Sequence, residues 1–321
     1  MTQLPPPPVL VPRGRIGLAD WLDAYTQLTK ARLSLLVLWT TAVGFLLAAT
    51  TAGGGSLSVF LWTLLGTALS AAAANMFNQV IEIERDAAML RTAARPLPAG
   101  VVGPRHVTIV AGVFAIAGPG LLLVFVNAAA AMLAALTIGL YVLVYTPLKT
   151  RSTLNTLVGA VCGALPPMIG WVAATGRLEA GAWALAAILF VWQIPHFLAL
   201  AWLYRVDYAR GRFRMLPVFD RDGRVTGQIV VLTSLMLVPV ALTATLIGLG
   251  GWIYTIGSIL LGGWMVTRAV GLYRDRSEAN ARRVFLASLL YLAVLLVLLV
   301  IDQGTLTWAE PTVYRLVAAG P

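Results

Sequence analysis

The stretch LSVFLWTLLGTALSAAAANMFNQVIEIERD, residues 57–86, decides the fold of this chain. Residues 57–80 contain no charged side chain, and a run of that length is enough to cross a hydrocarbon core as a helix, which takes about 20 residues. Carboxylates follow at once, at Glu82, Glu84 and Asp86. The stretch therefore predicts a membrane-spanning helix that ends in a cluster of acids.

The rest of the chain repeats the pattern of long apolar runs. Of 321 residues, 59% are hydrophobic and only 11% are charged, and the mean hydropathy is +0.85. This composition excludes a soluble globular protein. Candidate spans lie at residues 34–50, 57–80, 107–125, 128–146, 154–174, 181–202, 227–249, 252–270 and 284–301. Backbone groups must be paired within lipid, so we predict an all-α, polytopic bundle of nine transmembrane helices.

Basic residues predict the orientation of this bundle. Of the 23 lysines and arginines, all but Arg177 and Arg315 belong to the N-terminus or to the loops after the second, fourth, sixth and eighth spans. By the positive-inside rule these segments face the cytoplasm, or the matrix of a mitochondrion. The net charge of +10 follows largely from this asymmetry and does not indicate nucleic-acid binding.

The two ends of the chain are predicted to lie outside the bundle. Residues 1–28 would form a flexible tail followed by a short amphipathic segment, Ile16–Leu28, on the membrane surface. Residues 29–303 would form the transmembrane domain and residues 304–321 a C-terminal tail. The N-terminal tail lacks a long Arg- and Ser-rich presequence, which favours a bacterial plasma membrane over a mitochondrial inner membrane.

The acids after residue 80 are spaced for one helix face. Asn78, Glu82 and Asp86 are four residues apart, so their side chains project to one side with roughly 6 Å of rise between them. Oxygen ligands of this kind suit a hard divalent cation such as Mg²⁺, which often also binds the phosphates of a substrate. A solvated turn at the membrane surface is the alternative interpretation.

Bases follow the acids on the predicted cytoplasmic side. Arg91 and Arg95 come directly after Asp86, and Lys149 and Arg151 lie in the loop after the fourth span. Together with a metal they would clamp a diphosphate, because guanidinium groups pair with phosphate oxygens. Each base alone is also an ordinary topology signal.

Polar groups also interrupt the sixth span and the loop after it. His196 lies within that span, where a polar side chain usually faces a cavity; a packing role, a catalytic base and an iron ligand are all open. Asp207 would supply a further carboxylate opposite Glu82 and Asp86, or else pair with a neighbouring arginine. The pair Pro166–Pro167 is expected to bend the fifth span.

Three motifs resemble the UbiA superfamily of intramembrane prenyltransferases, over about residues 25–302. The first is Asn78, Glu82 and Asp86, followed by Met89, Arg91–Thr92 and Arg95–Pro96; the second runs from Tyr145–Thr146–Pro147–Leu148–Lys149 through Asn155 to Gly170–Trp171. The third, Trp192–Gln193–Ile194–Pro195–His196–Phe197 to Met215–Leu216–Pro217, is similar to the branch that acts on heme. Arg212–Phe213–Arg214 stands where that branch commonly has Gly–Ile–Pro.

The resemblance implies a nine-helix bundle with an intramembrane cavity open to the cytoplasmic side. It implies transfer of farnesyl from farnesyl diphosphate to a vinyl group of heme B, with addition of water. Asn78, Glu82, Asp86 and Asp207 would hold Mg²⁺; Arg91, Arg95, Tyr145, Lys149 and Arg151 would bind diphosphate; His196 would contact the heme. Partners would be the bilayer and a downstream heme-modifying membrane enzyme.

Two other functions stay open. Prenylation of an aromatic quinone precursor would need the same diphosphate site and would differ at residues 192–217. A membrane transporter or heme carrier would also have an intramembrane histidine and a polar cavity. It would not need acids and arginines gathered at one membrane face.

Overall fold

A computed structural model describes residues 17–52 and 55–303, and within these ranges the chain is helical, without β-strands. The helices are α1 (Leu18–Leu28), α2 (Ala31–Ala52), α3 (Leu57–Ile81), α4 (Ile83–Ala88), α5 (Pro104–Phe125), α6 (Ala128–Gly139), α7 (Thr146–Leu148), α8 (Asn155–Thr175), α9 (Ala180–Leu203), α10 (Arg205–Arg210), α11 (Leu216–Phe219), α12 (Arg224–Leu246), α13 (Trp252–Arg274) and α14 (Glu278–Asp302). A π-helical segment, Leu140–Tyr145, joins α6 to α7.

Nine of these helical stretches are long and apolar enough to cross a membrane, counted over the described ranges. They coincide with the nine predicted spans, so the all-α, polytopic fold is confirmed. The largest difference is at α14, which begins at Glu278 rather than at residue 284. Ser277 caps the N-terminus of that helix by accepting a hydrogen bond from the backbone N–H of Asn280. The helix therefore begins in the polar residues that precede the apolar run.

Helices α8 and α9 form the centre of the bundle. The apolar parts of these two helices are 72% and 78% buried, whereas that of the fourth span, Ala128–Leu148, is 17% buried. The outer helices instead expose large apolar side chains, such as Ile116 at 79% and Leu260 at 68%. Such exposure fits contact with lipid and not with water.

Small residues bring α2 against α8. A Cβ atom added to Gly44 would overlap the carbonyl of Pro167, and one added to Gly170 would overlap the carbonyl of Thr41. Close backbone approach through glycine is a common way of packing membrane helices. The helix continues through Pro166 and Pro167, both of which are buried; the bend predicted at these prolines stays a prediction.

The fourth span changes its winding just before the cytoplasmic loop. Pro147 has no N–H and its ring would clash with the carbonyl four residues earlier in a regular helix. The chain is π-helical over Leu140–Tyr145, and Thr146 donates its N–H to the carbonyl of Tyr141, five residues earlier. Such π-helical turns are frequent at functional sites, and this one carries Tyr141 and Tyr145.

The segment before the first span forms helix α1. Leu18 and Leu22 are exposed while Ala24 and Leu28 are buried, which is consistent with the predicted amphipathic segment. The predicted tails include residues 1–16 and 304–321, which lie outside the described residues. The division of the chain at residues 28 and 303 stays a prediction.

Candidate active site

Three loops that are far apart in the sequence meet at one end of the bundle. Arg85, in α4, donates hydrogen bonds to the carbonyls of Gly211 and Arg212. The backbone N–H of Arg214 donates to the carbonyl of Lys149 at 2.6 Å. The loops after the second, fourth and sixth spans therefore share one face, as the distribution of basic residues predicted.

A cavity of about 340 Å³ opens between these loops and reaches into the bundle. Its charged lining residues are Lys30, Glu82, Asp86, Arg91, Arg95 and Lys149. The remaining lining is largely aliphatic and aromatic and includes Leu33, Leu36, Leu189, Trp192, Phe197, Leu200 and Leu292. One end of the cavity is therefore charged and the other is apolar.

Glu82 is held by a lysine from the loop after the fourth span. The Nζ atom of Lys149 donates to Oε1 and Oε2 of Glu82, at 2.8 and 3.0 Å, and both side chains are largely buried. The same Nζ lies 5.0 Å from the ring centre of Tyr145 and 5.3 Å from that of Phe213. Burial lowers the pKa of Lys149, but the charge and hydrogen bonding of Glu82, together with Tyr141 and Tyr208, more than offset this, so its pKa is above its usual value.

Asp86 is paired within its own loop. Arg95 donates to its Oδ2 at 2.7 Å, and Thr92 donates its hydroxyl to the carbonyl of Asp86 at 2.8 Å. The Asp86 side chain is only 1% exposed. Since an unpaired buried carboxylate is strongly unfavourable, Arg95 compensates this charge.

Both polar atoms of the Asn78 side chain have a hydrogen-bond partner. Its Oδ1 accepts from Lys30 at 2.8 Å, and its Nδ2 donates to the hydroxyl of Thr146 at 3.1 Å. Lys30 has a φ of 49°, a left-handed conformation that costs a residue other than glycine about 1–3 kcal/mol. Burial and the charges of Lys149 and Arg95 lower the pKa of Lys30 to about 7.

Positive charge exceeds negative charge at this end of the cavity. Its lining includes four basic side chains, counting Lys30, and two acidic ones. Arg91 is exposed, and its guanidinium lies 5.0 Å from the ring centre of Tyr204. With Glu82 and Asp86 each already paired, the excess can bind an anionic group.

Two of the predicted site residues do not reach the cavity. Asp207 accepts hydrogen bonds from the backbone of Leu90 and Arg91, at 3.4 and 3.2 Å, and forms an ion pair with Arg210 at 3.3 Å. Because Asp207 belongs to α10, its carboxylate holds the loop that follows α4 against that helix. Arg151 is exposed and does not line the cavity.

The predicted four-residue metal set is accordingly incomplete in this arrangement. Across residues 17–52 and 55–303, no three His, Cys, Asp or Glu side chains gather as a metal site. Asn78, Glu82 and Asp86 nevertheless line one end of the cavity. This set of one amide and two carboxylates fits a hard divalent cation that takes its other ligands from a phosphate group.

His196 lies at the apolar end, in α9, between two aromatic rings. Its ring centre is 4.9 Å from that of Trp192 and 4.8 Å from that of Phe285, with interplanar angles of 23° and 28°. Its Nδ1 is 2.8 Å from the hydroxyl of Ser288. His196 lines the same cavity as the acids, so the first and third motifs face one space.

Several residues of the cavity were not foreseen as site residues. Lys30 immediately precedes the first span, where a lysine normally only marks topology. Asn155 is fully buried and lines the cavity, with its Oδ1 unpaired and its Nδ2 bound to the carbonyls of Ser152 and Arg214. Phe213 belongs to the segment that departs from the family pattern. Lys30 and Phe213 have no spacing signal in the sequence, whereas Asn155 belongs to the second motif but had no role assigned to it.

Residues 37–308 match the UbiA prenyltransferase family, and the chain belongs to that family. It is 46% identical over 279 residues to a protein of Salinibacter ruber named protoheme IX farnesyltransferase. That alignment covers 87% of this chain and 98% of the relative.

Solved structures show the same fold. One, described as digeranylgeranylglyceryl phosphate synthase in membranes, superimposes with a TM-score of 0.74 at 15% identity, covering 88% of this chain and 98% of the other. A UbiA homolog from Archaeoglobus fulgidus bound to DMAPP and Mg²⁺ has a TM-score of 0.60 at 16% identity, covering 86% and 99%. The helical bundle that the described residues form is therefore a UbiA-type bundle.

Proposed function

We propose that this chain transfers a farnesyl group from farnesyl diphosphate to a vinyl group of heme B, giving heme O. In this reaction the bond between farnesyl carbon and diphosphate oxygen breaks and a carbon–carbon bond forms at the vinyl group. Water then adds its hydroxyl, and a proton is released. The curated relative from Salinibacter ruber bears the name of this activity.

The observation that carries the proposal is the difference in polarity between the two ends of this cavity. Its charged end joins Glu82 and Asp86 to four bases, and its apolar end is formed by side chains such as Leu189 and Leu292. A prenyl diphosphate has the same division between a highly charged head and an apolar chain. The apolar end also lies within the membrane-spanning helices, where a farnesyl chain and a porphyrin would be surrounded by apolar side chains.

Mg²⁺ is part of the proposal because the donor set suits it. Asn78, Glu82 and Asp86 would hold the metal, which when bound stabilises the negative charge growing on the diphosphate. Arg91, Arg95 and Lys149 would pair with the remaining phosphate oxygens. The hydrogen bonds of Asp207 to backbone N–H groups favour a role in holding the loop after α4. Among the predicted bases, Arg151 is the least favoured as a diphosphate ligand, because its side chain is exposed and does not line the cavity.

Apolar walls would protect the allylic cation that forms when diphosphate leaves. Tyr141 and Tyr145 lie beside the charged end, with ring centres 5.0 Å apart. Their aromatic faces present partial negative charge to a cation. Water would otherwise capture the cation before it reaches the vinyl carbon.

The test is formation of heme O by the full chain, purified in detergent, from Mg²⁺, farnesyl diphosphate and heme B. Chromatography with mass detection identifies the product. Prenylation of 4-hydroxybenzoate without heme O would instead assign the chain to the quinone-precursor branch. Movement of heme across proteoliposomes without any prenylated product would assign it to transport.

We further propose that the basic face of the bundle is cytoplasmic and that the membrane is a bacterial plasma membrane. The distribution of basic residues between alternate loops supports this orientation. A downstream membrane enzyme that modifies heme O would be the natural recipient of so insoluble a product.

A further inference from the structure

Ser288, in α14, takes part in three hydrogen bonds at the aromatic end of the cavity, two of which reach α9. Its hydroxyl donates to the carbonyl of Phe285 at 2.7 Å, and the same oxygen lies 2.8 Å from Nδ1 of His196. Its carbonyl accepts from Nε1 of Trp192 at 2.6 Å. Ser288 is completely buried, so water does not compete for these groups.

These bonds decide which nitrogen of His196 carries the proton. A serine hydroxyl has one hydrogen, and here it is directed to the Phe285 carbonyl. Only the tautomer with hydrogen on Nδ1 allows both bonds to form, since Nδ1–H then donates to the serine oxygen. With the other tautomer only one of these two bonds could form, because the single serine hydrogen would be donated either to Nδ1 or to the Phe285 carbonyl.

The opposite nitrogen, Nε2, then keeps its lone pair. Within the described residues it accepts no hydrogen bond, and the ring of His196 lines the cavity. Stacking between Trp192 and Phe285 restricts the ring to one plane. A neutral imidazole with its second nitrogen donating to a fixed acceptor is the usual form of a metal-bound histidine.

Resting on the function proposed above, we infer that Nε2 of His196 is an axial ligand of the iron of the porphyrin acceptor, and that Ser288 is the positioning residue that holds its tautomer. The acceptor would therefore bind through its metal, and not only through contacts with its edge. Coordination of the iron would hold the porphyrin against α9 at the aromatic end of the cavity. The diphosphate of the farnesyl donor would then bind at the charged end.

The experiment compares ferric heme with protoporphyrin IX, which has the same propionates and vinyl groups but no iron. Each is titrated into the full chain in detergent, without farnesyl diphosphate, and followed by absorption and, for the heme, by electron paramagnetic resonance. We expect a histidine-ligated spectrum for the wild type. His196→Ala should remove that spectrum and weaken heme binding by roughly 100-fold, with protoporphyrin IX affected less than about twofold.

Ser288→Ala tests the positioning role separately. It should weaken heme binding about tenfold and give a mixed spectrum, while Ser288→Thr should restore part of the loss because it keeps a hydroxyl. Ser258→Ala is the matched control: Ser258 is also fully buried and donates to a helix carbonyl, but it does not line the cavity.

An unchanged spectrum in His196→Ala, or unchanged heme binding in Ser288→Ala, would overturn the inference. Equal weakening for both porphyrins would place His196 at a propionate and would also overturn it. Because farnesyl diphosphate is absent, these results are separate from the proposed function. A wild type that makes heme O without a histidine-ligated spectrum refutes only the inference, and one that shows the spectrum without making heme O refutes the function.

Discussion

The two ends of the cavity are stabilised in different ways. At the charged end, each carboxylate is neutralised by a base, which comes from another loop in the pair Glu82–Lys149 and from the same loop in the pair Asp86–Arg95. At the aromatic end, uncharged rings stack around His196 and are fixed by hydrogen bonds to Ser288. In the proposed reaction the charged end would exchange its internal partners for a metal and a diphosphate, whereas the aromatic end would present one nitrogen of His196 to the porphyrin.

The largest expected effect comes from neutralising either buried acid. Glu82→Gln or Asp86→Asn should lower kcat by about 10²–10³. The amide keeps one oxygen but loses the negative charge that would hold Mg²⁺, and the metal would stabilise the charge on the leaving diphosphate. Initial rates of heme O formation at saturating Mg²⁺ measure this. Glu84→Gln is the matched control, since Glu84 lies between them and is exposed; near-normal rates for Glu82→Gln would refute the metal role.

Removing the lysine partner should affect stability as well as activity. Lys149→Met leaves Glu82 buried and unpaired, which should cost about 3–5 kcal/mol of folding free energy. Thermal unfolding in detergent measures the loss. The double variant Lys149→Met with Glu82→Gln should regain much of the stability without regaining activity. Arg151→Met, on an exposed side chain nearby, should change neither quantity, and a large activity loss there would restore Arg151 to the diphosphate site.

Asp207→Asn distinguishes a metal ligand from a residue that holds a loop. Its hydrogen bonds to Leu90 and Arg91 indicate a positioning role, so we expect a loss of activity of about tenfold or less. The Mg²⁺ concentration for half-maximal rate should stay as in the wild type. A strongly increased Mg²⁺ requirement, comparable with that of Asp86→Asn, would show instead that Asp207 binds metal.

The smallest expected effect is at the aromatic end. Trp192→Phe keeps a ring against His196 but loses the hydrogen bond to Ser288, which contributes about 1 kcal/mol. The KM for heme should rise roughly fivefold, since about 1.4 kcal/mol corresponds to tenfold. The KM for farnesyl diphosphate should not change. An equal change in both constants would mean that the two ends are not separate binding regions.

Much of the architecture could be predicted because its signals are local. Apolar runs identify membrane spans one at a time, and basic loops assign their alternate ends without any knowledge of packing. The four-residue spacing of Asn78, Glu82 and Asp86 places them on one helix face whichever helices surround it. All three line the cavity, so this part of the site prediction needed no tertiary information.

The partners of these groups could not be predicted in the same way. Asp207 follows the sixth span with arginines on either side, and its sequence context fits a metal ligand and an ion pair equally well. Its backbone partners, Leu90 and Arg91, are more than a hundred residues away along the chain. The role of Lys30 could not be predicted for the same reason. A lysine before a span is normally a topology signal, and only the tertiary structure shows its hydrogen bond to Asn78.

The sequence by itself determined the nine predicted spans and the clustering of basic residues in alternate loops. It also determined that acids and a histidine lie in or next to these spans, where burying a polar side chain in lipid is energetically costly. Only the tertiary structure decided which base compensates which acid and that Ser288 sets the tautomer of His196. The physical reason is the separation of the interacting residues along the sequence. Hydropathy and helical spacing are properties of a few consecutive turns, whereas Lys149 and Glu82 are 67 residues apart. Such a contact depends on how the helices pack.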